Sequence, residues 1–188
     1  MTISCRHCNT LLDNEVINLG HQPPSNSFLI KDKLLEREIT FPLKVYICTN
    51  CWLMQLPVHT SEKEIFNEEY AYFSSISKSW CEHAKNYVNH AINKLNLSSN
   101  SLVIEIASND GYLLQYFNEK KIPNFGIEPT RATALAAKKK GVHTLQKFFN
   151  KKFAKELIEK DGFANGGVDL LIANNVAAHV PEINNFIS

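Results

Sequence analysis

The sequence predicts an α/β fold in three parts: a small cysteine-rich module over residues 1–60, a helical connector over 61–98, and an incomplete parallel sheet with flanking helices over 99–188. Three observations predict this order. Two Cys-x-x-Cys pairs lie in the first part, apolar residues recur at helical spacing in the second, and short apolar runs alternate with amphipathic runs in the third.

Composition excludes several classes of function. The 188 residues are 44% hydrophobic and 21% charged, with a formal net charge of +1, so no long-range field favours nucleic acid or an anionic membrane. No apolar run approaches the roughly 20 residues of a membrane span, and the N-terminus lacks a signal-peptide pattern. We therefore expect a cytoplasmic protein with neither a nucleic-acid nor a membrane partner.

The cysteines of the first part have the spacing of a metal site. Cys5 and Cys8 form one Cys-x-x-Cys pair, and Cys48 and Cys51 form the second. In a reducing compartment two such turns predict a tetrahedral structural zinc ion, with an iron–sulfur cluster or a redox dithiol as open alternatives. The 39 residues between the pairs exceed finger spacing, and His7 is expected at the surface.

The connector is predicted to contain two helices. The first begins with a capping-box pattern at Ser61 and Glu64, and the second covers roughly residues 78–95. Cys81, inside the second helix, is most simply a small buried hydrophobe.

The third part alternates strands and helices. Strands are predicted at "SLVIEIA", "NFGIEP", "VHTLQKFF" (a strand and turn) and "VDLLIANNV", the last of them buried, and a further helix at "PEINNFIS". This order predicts a parallel sheet whose ligands bind beyond the carboxyl ends of the strands. Four strands are fewer than a doubly wound domain needs, so we expect the missing C-terminal domain, or a partner chain, to cover the open edge.

The turn after the first of these strands, "EIASNDGYLL", is the candidate ligand site. Glu105, Ala107, Asn109 and Gly111 place an acid and small residues where a backbone can approach a ligand closely. The glycines of a dinucleotide-binding turn are absent, and the charge of Asp110 is expected to resist a pyrophosphate but not a positive sulfonium.

An acid after the second strand completes the prediction. Glu128 follows Gly111 by 17 positions, where such acids bind ribose hydroxyls. S-adenosylmethionine fits both observations, whereas Ala107 and Asp110 disfavour a nicotinamide-dependent oxidoreductase. The simpler alternative, that Glu105 and Glu128 only cap strand ends, stays open.

Several strings, in order, resemble the zinc-containing, S-adenosylmethionine-dependent sugar C-methyltransferases of deoxysugar pathways. They are "CRHCN", "LGHQPPSNSFL", "FPLKVYICTNCWLMQL", "YFSSISKSWCEHAKNYV", "EIASNDGYLL", "GIEPTRATALAAKKKGV" and "NNVAAHV". The resemblance implies a zinc module followed by a Rossmann-like class I methyltransferase domain, here incomplete, and then a sugar-nucleotide domain beyond this sequence.

The resemblance also implies roles for individual residues. Zinc would be held by Cys5, Cys8, Cys48 and Cys51. Catalytic residues would be His179 and one or both of Tyr70 and Tyr72. Cofactor contacts would come from Glu105, Ala107, Ser108, Asn109, Gly111, Tyr112, Leu113, Glu128, Pro129, Asn174 and Asn175.

Two departures from the family pattern qualify the expected activity. Trp52 stands where a glycine is usual, and a Glu-His pair used near the reacting sugar would follow Ser188. We therefore expect the N-terminal part of a C-methyltransferase for a nucleotide-linked keto-deoxysugar, inactive alone, with His179 as a candidate base or enolate stabiliser. The alternative is an inactive, zinc-stabilised binding remnant of such an enzyme.

Overall fold

The structure, a computed structural model, describes residues 2–67, 70–160 and 167–188. Its contacts group into two compact units: the cysteine unit, Met1–Ala71 with Ala177–Ser188, and the sheet unit, Tyr72–Val176. The domain boundaries predicted at residues 60 and 98 stay a prediction. Within the described ranges no helix is long and apolar enough to cross a membrane.

The cysteine unit contains one small antiparallel sheet. Its strands are β1 (Glu15–Gln22), β2 (Phe41–Ile47) and β3 (Met54–Gln55), in that spatial order. The one-turn helix α1 (Glu62–Ile65) follows, and it begins with the predicted capping box between Ser61 and Glu64. The Glu64 carboxylate accepts hydrogen bonds from the Thr60 hydroxyl and from Ser61, which hold its pKa at about 2.

The sheet unit contains the predicted parallel sheet with its helices. In chain order its elements are α2 (Lys78–Leu95), β4 (Val103–Ile106), α3 (Leu114–Glu119), β5 (Asn124–Ile127), α4 (Arg131–Lys139), β6 (Thr144–Leu145), α5 (Lys151–Lys160) and β7 (Leu170–Ile172). The strands lie in the order β6-β5-β4-β7 and all pairs are parallel. The chain therefore reverses its direction of travel across the sheet at β4, which places a topological switch point beyond the carboxyl ends of β4 and β7.

The fourth strand of this sheet differs from the prediction. The segment "VDLLIANNV" was expected to be a buried strand, but β7 spans three residues and Leu171 is 52% exposed. Exposure follows because β7 pairs with β4 alone among the described strands. The predicted helix in "PEINNFIS" is confirmed as α6 (Ile183–Ile187), which belongs to the cysteine unit.

Strand β4 organises the core because its side chains alternate between two buried layers. Val103 packs in a cluster with Val88 of α2 and Phe117 of α3. Its neighbour Ile104 packs on the opposite face with Phe125 and with other apolar side chains. Glu105 follows on the same face as Val103 and is 1% exposed, so the strand carries a carboxyl group into the first layer.

Gly126 of β5 allows the turn after β4 to lie close to the neighbouring strand. A Cβ atom on Gly126 would lie 2.1 Å from Ser108 Oγ and 2.6 Å from Ser108 Cβ. The Ser108 side chain is fully buried. The turn that follows β4 is thus held against β5 by a contact that only glycine permits at residue 126.

Replacing Gly126 by alanine is expected to lower the free energy of unfolding by about 2 kcal/mol, because the new methyl group overlaps Ser108. Chemical denaturation of Gly126→Ala measures this loss. The double variant Gly126→Ala with Ser108→Gly removes the overlap and should recover at least half of it relative to Ser108→Gly alone. A double variant with the full loss would show that the contact with Ser108 is not the reason for a glycine.

Candidate functional site

The four predicted cysteine ligands converge in the cysteine unit. The sulfur atoms of Cys5, Cys8, Cys48 and Cys51 all lie within 4.8 Å of one another. Cys5 and Cys51 are 3.6 Å apart at sulfur, and Cys8 and Cys48 are 3.5 Å apart. A tetrahedron with the usual zinc–sulfur bond of about 2.3 Å has sulfur–sulfur edges of about 3.8 Å. The donor set therefore fits zinc and leaves no position open for water.

Each Cys-x-x-Cys pair is held by the same local turn. The N–H groups of Asn9 and Trp52 donate to the carbonyls of Cys5 and Cys48 respectively, both at 3.0 Å. Both donor residues are left-handed, with φ of 62° at Asn9 and 64° at Trp52. Side chains are disfavoured in this conformation, which agrees with the glycine that the family resemblance implies at residue 52.

The four sulfurs differ in their surroundings: hydrogen bonds favour the thiolate forms of Cys5 and Cys8, whereas burial and the neighbouring sulfurs raise the pKa of Cys51 against the effect of the Leu53 backbone bond. Hydrogen bonds from the side chain and backbone of Thr10 lower the pKa of Cys8 to about 5. The Gln55 side chain is 4% exposed, and its Nε2 donates to Cys5 Sγ at 3.1 Å. Its Oε1 accepts from the Arg6 backbone N–H at 2.9 Å, so Gln55 joins β3 to the first Cys-x-x-Cys pair. Sequence reasoning missed Gln55, because nothing in "CWLMQL" distinguishes a glutamine that faces a sulfur.

Gln55→Leu is expected to weaken zinc binding about 10- to 100-fold, because it removes a donor to a ligand sulfur and leaves the Arg6 N–H without its acceptor. Competition with a chromophoric chelator measures the affinity. Gln22→Leu, at an exposed position of β1, is the matched control and should leave the affinity unchanged. Equal affinities for the Gln55 variant and the wild type would contradict a supporting role for Gln55.

The candidate cofactor turn follows β4 with an unusual backbone. Ala107, Asn109 and Gly111 are left-handed, with φ of 54°, 51° and 73°. The N–H groups of Ala107 and Ser108 donate to the Ile127 carbonyl at 2.7 and 3.3 Å, which binds the turn to β5. Ala107 is exposed although its neighbours on both sides are buried. The turn therefore presents backbone and one small side chain at the switch point of the sheet.

The side chains of Asn109 and Asp110 hold a neighbouring segment of the chain. Asn109 Oδ1 accepts from the Ser74 N–H at 2.9 Å, and its Nδ2 donates to the Tyr72 carbonyl at 3.1 Å. The Asp110 carboxylate accepts from Lys140 Nζ at 2.9 Å and from the hydroxyl of Ser75. These bonds fix residues 72–75 against the turn.

This arrangement corrects one expectation. The charge of Asp110 was expected to repel a pyrophosphate, but its ion pair with Lys140 compensates that charge. The Lys140 ammonium lies within hydrogen-bond distance of both Asp110 and Ser75 Oγ.

The two glutamates predicted at the site have different surroundings. Glu128 is 4% exposed, and its carboxylate accepts backbone N–H bonds from Asn109 and Thr130, each at 2.9 Å. Glu105 hydrogen-bonds the Tyr112 side chain, but its Oε2 is buried without a hydrogen-bond partner in the part of the chain described. Glu105 is thus the less satisfied of the two carboxyl groups.

Burial raises the pKa of Glu105 well above its usual value, and the nearby carboxylates of Glu128 and Asp110 raise it further. The hydrogen bond with Tyr112 opposes this shift. Of the three buried carboxyl groups near the turn, Asp110 has the ion pair with Lys140 and Glu128 has backbone donors. A proton on Glu105, or a cationic ligand beside it, would relieve the remaining repulsion.

Glu105→Gln is expected to change how stability depends on pH. The folded wild type keeps a proton on Glu105 that the unfolded chain loses above about pH 4.5, so the Glu105 contribution to folding stability declines as pH rises from there. Glutamine cannot ionise. The difference in free energy of unfolding between variant and wild type should therefore shift in favour of the variant from pH 5 to pH 8.

Urea denaturation at several pH values measures this difference, and other titrating groups cancel in it. Glu119→Gln, at the exposed end of α3, controls for the loss of a carboxyl group. A difference for Glu105→Gln that does not vary with pH would contradict a protonated Glu105.

The remaining predicted cofactor residues vary in exposure. Tyr112 and Leu113 are buried, Pro129 is half-buried, and Asn174 and Asn175 are exposed beyond β7. The Asn174 side chain hydrogen-bonds the Tyr112 hydroxyl, which in turn bonds Glu105. The structure thus joins the ends of β4 and β7 through one polar chain at the switch point.

The predicted catalytic residues divide between the two units. Tyr70 and His179 lie in the cysteine unit, where both contact the ring of Phe66 edge-on at centroid distances of 5.3 and 6.3 Å. Tyr70 also lines a cavity of about 730 Å³ together with Phe28, Arg37 and Ile65. Tyr72 is in the sheet unit, 47% exposed, and its carbonyl accepts the Asn109 bond.

Comparison with known proteins supports the N-terminal assignment first. Residues 5–66 match a family model described as a putative zinc binding domain. The match covers all four cysteine ligands and agrees with the zinc site that the sulfur geometry supports.

A particular relative extends the likeness over nearly the whole chain. The C-methyltransferase NovU of Streptomyces niveus is 28% identical over 184 residues, which cover 98% of this chain and 43% of the relative. The chain thus spans less than half the length of that protein. The two comparisons confirm the resemblance to the N-terminal portion of the zinc-containing sugar C-methyltransferases.

Proposed function

We propose that the sheet unit binds S-adenosylmethionine at the turn from Glu105 to Gly111, and that the chain supplies the N-terminal part of a C-methyltransferase acting on a nucleotide-linked keto-deoxysugar. One observation carries the proposal: a left-handed turn with an exposed Ala107 lies at the switch point of a parallel sheet, beside an unsatisfied buried carboxyl group. The 28% identity with C-methyltransferase NovU supports the class of reaction.

The charge of the site supports a cationic ligand over a dinucleotide. Glu105 and Glu128 are both buried near the turn, and Lys140 is committed to Asp110. A pyrophosphate would add two negative charges beside these groups, whereas a sulfonium or ammonium group would stabilise the ionised form of Glu105. The sequence predicted a preference for a sulfonium over a pyrophosphate from the charge of Asp110. In the structure this preference is supported by the charges of Glu105 and Glu128 instead.

S-adenosylmethionine, when bound, would supply an electrophilic methyl group. Methylation at carbon also needs a base that removes a proton beside the sugar carbonyl and a donor that stabilises the enolate oxygen. His179 suits either role, because an imidazole ring can accept a proton or donate one. Tyr70, which lines the 730 Å³ cavity, or Tyr72 would orient the sugar.

The zinc site has a structural role in this proposal. Four thiolates complete its coordination, so the ion has no position for a substrate or a water molecule. Its contribution would be to fix the cysteine unit, whose residues include Tyr70 and His179.

A second candidate function is a zinc-stabilised binding module without catalysis. The bonds of Glu128 favour it, since its carboxylate oxygens already accept from Asn109 and Thr130, which reduces its capacity for ribose hydroxyls. The two candidates differ in whether the donor binds the turn.

Calorimetric titration with S-adenosylmethionine, with its demethylated product and with NADH tests the proposal. The zinc-loaded chain should bind the first two and not the third. Ala107→Trp should weaken this binding at least tenfold, because Ala107 is exposed at the turn and a large side chain would occupy the ligand's place.

Lys121→Trp is the matched control, because Lys121 is also exposed and left-handed, with φ of 57°, and lies outside the turn. It should bind the donor as the wild type does. No detectable binding at millimolar S-adenosylmethionine would overturn the proposal and favour the binding module.

A further inference from the structure

We propose that Arg6 and His7, the two residues inside the first Cys-x-x-Cys pair, position the segment Ala177–Ser188, so that the zinc site holds His179 in place. The importance of His179 rests on the function proposed above. The positioning itself rests on contacts within the cysteine unit and is tested separately.

Arg6 makes the first of these contacts. Its Nη1 donates to the carbonyl of Val180, the residue after His179, at 3.0 Å. A hydrogen bond from a charged donor is stronger than one between neutral groups. The guanidinium therefore fixes the backbone next to the candidate base, and His179 contacts the ring of Phe66 from the same segment.

His7 makes a paired contact with the helix α6. Asn184 Nδ2 donates to the His7 carbonyl at 2.8 Å, and Asn184 Oδ1 lies 2.8 Å from His7 Nδ1. The first bond fixes the amide so that its oxygen faces the ring, which requires the proton on Nδ1. Together the two bonds fix both the distance between His7 and Asn184 and the orientation of the helix α6 relative to His7.

The metal site makes these anchors rigid. Arg6 and His7 lie between two ligands in a turn closed by the Asn9 N–H at the Cys5 carbonyl. The Arg6 backbone N–H donates to Gln55, which donates to the Cys5 sulfur. A continuous series of bonds thus runs from a ligand sulfur through Gln55 and Arg6 to Val180. Without the ion, nothing holds the four sulfurs within 4.8 Å of one another. The turn that carries Arg6 and His7 would then lose its fixed conformation.

The segment Ala177–Ser188 groups with the cysteine unit by its contacts. Hydrogen bonds between Val180 and Arg6 and between Asn184 and His7 join it to the first Cys-x-x-Cys pair. Arg6 and His7, which lie between the two ligands, therefore position the segment Ala177–Ser188. The spacing of the cysteines alone does not indicate this role.

Hydrogen–deuterium exchange of the zinc-loaded chain tests the proposal. The amides of Val180, Phe186 and Ser188, each bonded within the segment, are the reporters. Arg6→Ala and Asn184→Leu should raise their exchange rates at least about tenfold. Lys44→Ala, which removes an exposed cation from the same unit, is the control and should leave them unchanged.

Two further measurements separate positioning from a general loss of structure. Metal analysis should find one zinc per chain in each variant, and Arg6→Lys should restore most of the protection because it keeps a cationic donor. The ring resonances of His179 should shift in Arg6→Ala and not in Lys44→Ala. Asn184→Leu leaves the metal site untouched, so it remains informative if an Arg6 variant fails to bind zinc.

Unchanged exchange at the reporter amides in Arg6→Ala and Asn184→Leu, with zinc bound, would overturn the proposal. Removal of zinc from the wild type should raise exchange in the segment as the variants do, and continued protection would count against it equally. Failure of S-adenosylmethionine to bind would overturn the proposed function and leave this result intact.

Discussion

The clustering of four sulfur atoms is the constraint on which the cysteine unit depends. Among the described residues of that unit, the buried apolar ones form a cluster of Cys5, Leu12 and Cys48, of which Cys5 and Cys48 are metal ligands. All eight residues of β1 are exposed. So small a core cannot offset the conformational entropy of the chain, and small domains of this kind are usually stabilised by a metal or by disulfides. The zinc site therefore takes the place of a hydrophobic core.

The sheet unit depends on burial instead, and its candidate site lies where burial and polarity meet. Strand β4 delivers Val103 and Glu105 to the same layer, so the strand that builds the core also carries an ionisable group into it. Asn109 and Asp110 then use their side chains to hold residues 72–75, which leaves the backbone and Ala107 to face solvent. Because the polar side chains of the turn contact residues 72–75, only backbone atoms and the small Ala107 side chain are left to contact a ligand.

Much of this could be predicted from sequence, because the relevant patterns are local. Cys-x-x-Cys spacing indicated the metal site, and alternating apolar runs indicated the parallel sheet with its turn after β4. The partner of Asp110 could not be predicted, because Lys140 is 30 residues away and looks like any other lysine of its run. The same holds for Gln55 and for the segment after β7, whose partners at Arg6 and His7 are set by tertiary packing.

The hydrogen bonds at Arg6 and His7 have a consequence for how the protein is made. Their partners Val180 and Asn184 lie 174 and 177 residues further along the chain. At a synthesis rate of about 5–20 residues per second, the first Cys-x-x-Cys pair leaves the ribosome roughly 10–35 seconds before the groups that it will bind. During that interval the second cysteine pair and the metal are the means of keeping the turn in shape. The order of synthesis therefore lets the metal site form before its bonds to Val180 and Asn184 can form.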